Sequence, residues 1–472
     1  MKSLLTIALG ALAIAAWPLH AAEKKNAPPK DLPPYGELKP TPPPQVTQFK
    51  LDNGLTVWLA HEPGFPKVAF TLAIRGGYSA DPKDRPGMSD LIAAVVTQGT
   101  RTRSARQVAE EMQACGGDLN ADEDADAITV ATSVLAEKAD RALEILGDIA
   151  QNATFADHEV EIAKNNAKSG LEAAEANPQF LATRALRRAM FGDDPYAIVA
   201  PTQASIAAVT AAELRREYAR RFRPDEALLI ATGDFDESAL RNAAAAAFGK
   251  WQRPGEEAPA NVEKPSVSIS RTVLYVPRAG SVQTTFLMGT LGPDRTQADF
   301  AAARVANAIY GGMFGSRLTL NIREDKGYTY SPYSSLQSMQ RTGLLDVGAA
   351  VRNPVTGASF NEISYELNRM ATTVPEEDEL ASAKRYVIGT QAISLQSRES
   401  LARSLARMWI SGLPPEELGL QSTKVEKVTA ADVAAAGKKY FPAWRMTVVA
   451  VGEEKVIRDE LAPFGLEFRK AE

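Results

Sequence analysis

One pattern occurs twice in the 472-residue chain, and this repetition constrains the fold more than any other feature. Thr210-Ala211-Ala212-Glu213-Leu214 is followed by Leu228-Leu229-Ile230-Ala231-Thr232-Gly233-Asp234. Thr429-Ala430-Ala431-Asp432-Val433 is followed by Thr447-Val448-Val449-Ala450-Val451-Gly452-Glu453. In both copies the glycine lies 23 residues after the threonine. A Thr with an acid three residues on is a capping box, in which hydroxyl and carboxylate each accept a free N–H at a helix start. A buried strand ending in Gly and an acid then follows. Matching order and spacing point to duplication. Two homologous halves result, 46–252 and 268–466, joined by a linker over 253–267 that begins Arg253-Pro254-Gly255. In each half strands come first and long helices such as Asp157–Ala176 come later. That order predicts an α+β fold, each half a mostly antiparallel sheet packed with helices.

The segments before residue 46 are of another kind. Lys2, the apolar run Leu4–Ala16 and the small residues at Ala21-Ala22 read as a signal peptide over 1–22, cut after Ala21 or Ala22. Export across an inner membrane places the mature chain in the periplasm, and no later stretch reads as a transmembrane segment. Residues 23–45 form a Pro-rich arm, with Pro28-Pro29, Pro33-Pro34 and Pro42-Pro43-Pro44. Order begins near Gln48, where Phe49–Leu59 reads as strand, Asn53-Gly54 turn, strand. A formal charge of −5 and the lack of a dense basic run argue against nucleic acid as a partner. Cys115 is the only cysteine, so no internal disulfide can form, and a small buried residue is its expected role. His20, His61 and His158 are the only histidines, and His20 falls in the signal peptide. An internal site built on His61, Asp90 and His158 has no ligand spacing to support it.

Gly87 to Thr100 carries the most informative single pattern. Met88, Leu91, Ile92, Val95 and Val96 recur at helical spacing and predict an amphipathic helix. Asp90, Ala93 and Ala94 share a different face of that helix.

An ordered set of segments resembles the insulinase/pitrilysin family, in particular its smaller mitochondrial-processing-peptidase-like members. These are Asp52-Asn53-Gly54-Leu55, Ile74-Arg75-Gly76-Gly77, Gly87–Thr100, Gly116-Gly117-Asp118-Leu119-Asn120-Ala121 and Phe191-Gly192-Asp193-Asp194-Pro195-Tyr196. Ser316-Arg317-Leu318 and Ile322–Ser331 complete it in the second half. Active members of that family read His, Glu and His where this chain has Asp90, Ala93 and Ala94. Two such histidines hold zinc, and the glutamate takes a proton from zinc-bound water. The family's third ligand, a glutamate on a later helix, falls at Gly170, counted back from Asn177-Pro178 and lying 76 residues after Ala94. Glu172 and Glu175 nearby read as a solvated helix face. The resemblance therefore implies degenerate zinc-site positions at Asp90, Ala93, Ala94 and Gly170, and no metal in this chain.

The same resemblance implies that Arg323 and Tyr330 are the family's Arg and Tyr of the far half of a clam-shell. A guanidinium suits a substrate carbonyl or carboxylate, and a phenol can donate to a developing oxyanion. Small members pair unlike chains, so the expected partner is a zinc-bearing sibling that receives Arg323 and Tyr330 in trans, with peptides as substrates. The alternative is a catalytically inert structural or peptide-binding core-type protein. Gly311-Gly312-Met313-Phe314-Gly315 lacks the Lys-Ser/Thr of a phosphate loop and reads as a plain turn.

Overall fold

The repeated apolar runs become central strands of two six-stranded sheets. The computed structural model describes Pro42, residues 44–255 and residues 272–471. The expected signal peptide, nearly all of the Pro-rich arm and most of the linker lie outside the described residues. The first sheet contains β1 (Thr47–Lys50), β2 (Thr56–His61), β3 (Lys67–Arg75), β4 (Leu119–Glu123), β5 (Ala127–Leu135) and β6 (Ala227–Gly233). The second contains β7 (Thr272–Pro277), β8 (Gln283–Gly292), β9 (Tyr333–Ser338), β10 (Gly343–Arg352), β11 (Thr447–Gly452) and β12 (Glu467–Lys470). Their orders are β1-β2-β6-β3-β5-β4 and β12-β7-β11-β8-β10-β9. Five strands correspond one to one, and the two sheets differ only at the β1 and β12 edges. Most pairs are antiparallel; β2 with β6, β7 with β11 and β7 with β12 are parallel. The chain is thus α+β with two topologically equivalent halves.

The two copies of the repeat close as capping boxes. Thr210 N–H donates to Glu213 Oε2 at 2.9 Å, and Glu213 N–H to Thr210 Oγ1 at 3.2 Å. Thr429 and Asp432 exchange the same two bonds at 2.8 and 3.2 Å. Thr429→Ala is expected to cost about 1 kcal/mol, read as a lower denaturant midpoint with unchanged m-value.

Each repeat strand is buried on both faces, as its unbroken apolar run requires. Leu229 and Ala231 point into a core with Val57, Leu59, Phe70 and the Met88–Val96 helix. Leu228 and Ile230 point the other way, onto Leu401, Leu405 and Trp409. The cover on that second face comes from the other half: the Arg398–Ile410 helix lies across β3 and β6. Reciprocally, the Pro178–Phe191 helix of the first half lies across β8 and β11. Gly289 allows that approach, since a Cβ there would sit 2.8 Å from Leu186 Cδ2. The halves are interlocked by exchanged helices. Their seam is also polar: Asp126 accepts from Tyr196 Oη at 2.5 Å and from Gln340 N–H at 2.8 Å. Arg341 pairs with Asp194 at 3.0 Å and lies 4.2 Å over the Tyr196 ring.

Among the described residues, no helix is long and apolar enough to cross a membrane. Cys115 is buried. Ala308–Gly312 forms a π-helical turn.

Candidate functional site

The Met88–Val96 helix starts where its sequence predicts, and a buried carboxylate fixes that start. Gly87, at φ 91°, supplies a left-handed N-cap with no side chain of its own. Asp81 takes over, accepting from Gly87 N–H at 3.0 Å, Ser89 N–H at 3.0 Å and Ser89 Oγ at 2.6 Å. Arg221, wholly buried, balances the charge: it pairs with Asp81 at 3.0 Å and Glu217 at 3.2 Å. It also donates to Ser89 Oγ at 2.6 Å and Ala80 O at 3.0 Å. Met88, Leu91, Ile92, Val95 and Val96 are all buried, the face expected from their spacing.

Asp90 and Gly170 come together in a cavity of about 270 Å³, with Tyr78, Glu123 and Leu171 among its walls. Gly170 sits on the Asp157–Glu175 helix, where an added Cβ would meet nothing within 4 Å. Ala93 is 4% exposed within the core, and Ala94 is at the surface. These positions do not fit a zinc ion. Methyl groups and a hydrogen offer no donor, and Asp90 and Glu123 are one short of the three protein ligands a catalytic zinc requires. Among the described residues no group of three His, Cys, Asp or Glu side chains is placed to hold a metal. His61 lies instead 3.8 Å from Asp234, and His158 is exposed on the first turn of the Asp157–Glu175 helix. Glu172 and Glu175 are exposed, and Glu175 pairs with Arg184 at 2.6 Å.

Glu123 is the member of this cavity that sequence reasoning missed. Its signal was parity: on β4 it follows Leu119 and Ala121 on the half-buried side, while Asn120 and Asp122 are exposed. Burial first, and then the Asp90 charge, push its carboxyl up to about 7. Asp90 is raised too, by burial and by Asp81. A carboxyl whose folded pKa exceeds its unfolded value stabilises the fold below the unfolded value and loses that contribution as pH rises. The window here runs from the ordinary 4.5 to about 7. Glu123→Gln is expected to raise stability by about 2 to 3 kcal/mol at pH 8, and by much less at pH 5. Urea unfolding at the two pH values checks this, and equal gains would contradict it.

Arg323 and Tyr330 are absent from that cavity, whose walls all come from the first half. Arg323 lies in a π-helical segment, Thr319–Asp325, and its guanidinium is held between two aromatic rings. Its carbon sits 4.7 Å from the Phe314 ring centre and 4.4 Å from that of Tyr330. Glu324 pairs with it at 3.1 Å, the local ion pair common at such positions. Tyr330 is 80% exposed and Phe314 63%. The loop beneath is tied down: Gly327 N–H donates to Arg323 O at 3.1 Å, and Tyr328 N–H to Ile322 O at 2.8 Å. Thr329 Oγ1 donates to Ala350 O at 2.6 Å. The result is a preformed cluster in which the remaining guanidinium donors of Arg323 stand beside the phenol of Tyr330.

Two interlocked sheet-and-helix halves, with a cavity beside the Met88–Val96 helix, define the architecture. Residues 56–200 match the family described as "Insulinase (Peptidase family M16)", and residues 208–387 match "Peptidase M16 inactive domain". The chain belongs to the insulinase (M16) family. Similar proteins include the "Uncharacterized zinc protease YmxG" of Bacillus subtilis, 25% identical over 362 residues, 75% of this chain and 86% of that protein. The "Uncharacterized zinc protease ML0855" of Mycobacterium leprae is 25% identical over 400 residues, 83% of this chain and 88% of that one. A crystal structure of a "peptidase M16 inactive domain" from Pseudomonas fluorescens has the same fold, with a TM-score of 0.81 at 24% identity. It spans 91% of this chain and 100% of that one. A protease structure from Helicobacter pylori also scores 0.81, at 14% identity over 87% of this chain and 100% of its own.

Proposed function

We propose that this chain is the zinc-lacking subunit of a heteromeric insulinase-type metallopeptidase in the periplasm, inactive alone. It lends Arg323 and Tyr330 to a zinc-bearing sibling for peptide hydrolysis. The observation that carries the reading is the stack of half-buried Arg323 on exposed Tyr330, on a tied-down loop, in a chain whose own Ala93, Ala94 and Gly170 offer no ligand. Preorganised donors are worth most where negative charge develops on a carbonyl oxygen in a site closed from water. In the closed pair, Arg323 orients the peptide carbonyl or a nearby carboxylate, and Tyr330 Oη donates to the oxygen that gains charge. The open edge of β4 or β9 suits an added peptide strand, which gives main-chain affinity with loose sequence preference. Those edges also favour a second reading, a peptide-binding protein without a catalytic role.

Peptide hydrolysis by this chain alone, by a sibling carrying His-x-x-Glu-His, and by their mixture separates the readings. Full turnover only in the mixture is expected. Stoichiometric zinc on this chain, with turnover by it alone, overturns the proposal.

A further inference from the structure

A cavity of about 320 Å³ lies in the second half between the helices Phe300–Asn307, Glu377–Ser394, Arg398–Ile410 and Glu417–Lys427. Its polar walls include Arg295, Arg304, Arg407, Gln391, Ser394 and Ser404, and no Asp or Glu lines it. A wider cavity of about 700 Å³ shares Arg295 and Arg304 and opens it outward. Acids do line that outer space, but each is engaged: Glu417 with Lys424, Asp299 with Lys439 at 2.7 Å, and Asp432 in its capping box. Among the described residues, Arg295, Arg304 and Arg407 have no carboxylate within ion-pair distance.

We propose that this cavity binds a doubly charged oxyanion of the phosphate class. Three guanidinium groups converge there, and the nearest polar partner of Arg304 is Gln421 Oε1 at 3.5 Å. Phe300 holds two of them in place, with the Arg295 and Arg304 guanidinium carbons 5.6 and 6.0 Å from its ring centre. Their mutual repulsion is uncompensated: burial, then Arg304 and Arg407, press Arg295 down to about 10. Like charges gathered in a recess free of acids lower the stability of the empty protein and are neutralised by an anion.

Gln391 selects among anions. It is 8% exposed, its amide nitrogen donates to Leu418 O at 3.1 Å, and its Oε1 has no partner. A buried acceptor left unmade costs energy that a ligand hydroxyl would recover. Hydrogen phosphate brings two negative charges, oxygens that suit a guanidinium fork, and one P–OH donor for that oxygen. A carboxylate brings one charge and no donor.

The test is calorimetric titration and thermal unfolding of the full chain with inorganic phosphate, acetate or chloride at equal ionic strength. Saturable phosphate binding with a rise in Tm of several degrees is expected, with acetate no better than chloride. Arg407→Gln, at an exposed position, is expected to keep or raise the Tm in chloride while weakening phosphate binding at least tenfold. Arg295→Gln is expected to act the same way. Displacement of phosphate by glycerol 3-phosphate would identify an organic phosphate as the occupant, and its failure to displace would identify free phosphate. Equal effects of phosphate and acetate, or unchanged phosphate affinity in both variants, would overturn the proposal.

Discussion

Arg221→Met is expected to destabilise the protein by about 3 to 5 kcal/mol, lowering its Tm by several degrees. Arg221 is wholly buried and, among the described residues, is the only cation paired with Asp81, which is itself inside the fold. Methionine fills much of the volume but leaves that carboxylate facing the Gly87 and Ser89 N–H groups without a counter-charge. Glu217 suffers less, because Arg220 still reaches it at 2.6 Å. The sign with pH follows from Asp81. Burial already raises its pKa, and Arg221 is the largest opposing influence, so its removal raises the pKa further. A raised carboxyl contributes most below its unfolded pKa and loses that contribution as pH rises. The variant's deficit is therefore smallest near pH 4 and grows toward pH 8. Thermal unfolding across that range checks both size and direction; a deficit independent of pH would assign the loss to packing alone.

Arg323→Ala is expected to cut the kcat/KM of the reconstituted pair by about 10²- to 10³-fold, the loss found when one preorganised oxyanion donor is removed. The fold should not notice. Arg323 is half-buried against two exposed rings, and its stacking on Phe314 and Tyr330 contributes about 0.5 to 1 kcal/mol. Tyr330→Phe keeps the ring against the guanidinium and removes only the hydroxyl. It is expected to lower kcat with little change in KM, because the phenol acts where charge develops.

Local signals made much of this fold legible in the sequence. The Thr210 and Thr429 capping boxes and the apolar face of the Met88–Val96 helix depend on neighbours within one turn, and they stand as read. The unbroken run Leu228–Ala231 states that both faces of β6 are covered, but periodicity cannot say by what. The cover is the Arg398–Ile410 helix from the opposite half, a long-range exchange with no local signature. Asp90 and Gly170 line one cavity although Gly170 has no ligand atom to offer. Glu123 went unnoticed because an acid on a strand usually faces water, and only its parity with Ala121 marked it as inward. The seven-residue spacing of Arg323 and Tyr330 came from resemblance. Their stacking depends on a π-helical segment and a tied loop, which residue spacing does not encode. The arginines 295, 304 and 407 meet only once four helices have packed.

The most direct measurement of the division of labour is peptide turnover by the zinc-bearing sibling, saturated with either the native chain or its Arg323→Ala form. Complex formation is verified in both cases by sedimentation. If this chain supplies the donor in trans, both complexes form, and the native one turns over peptide at least a hundredfold faster. Equal turnover from two intact complexes would contradict it and leave the chain as a binding or structural partner.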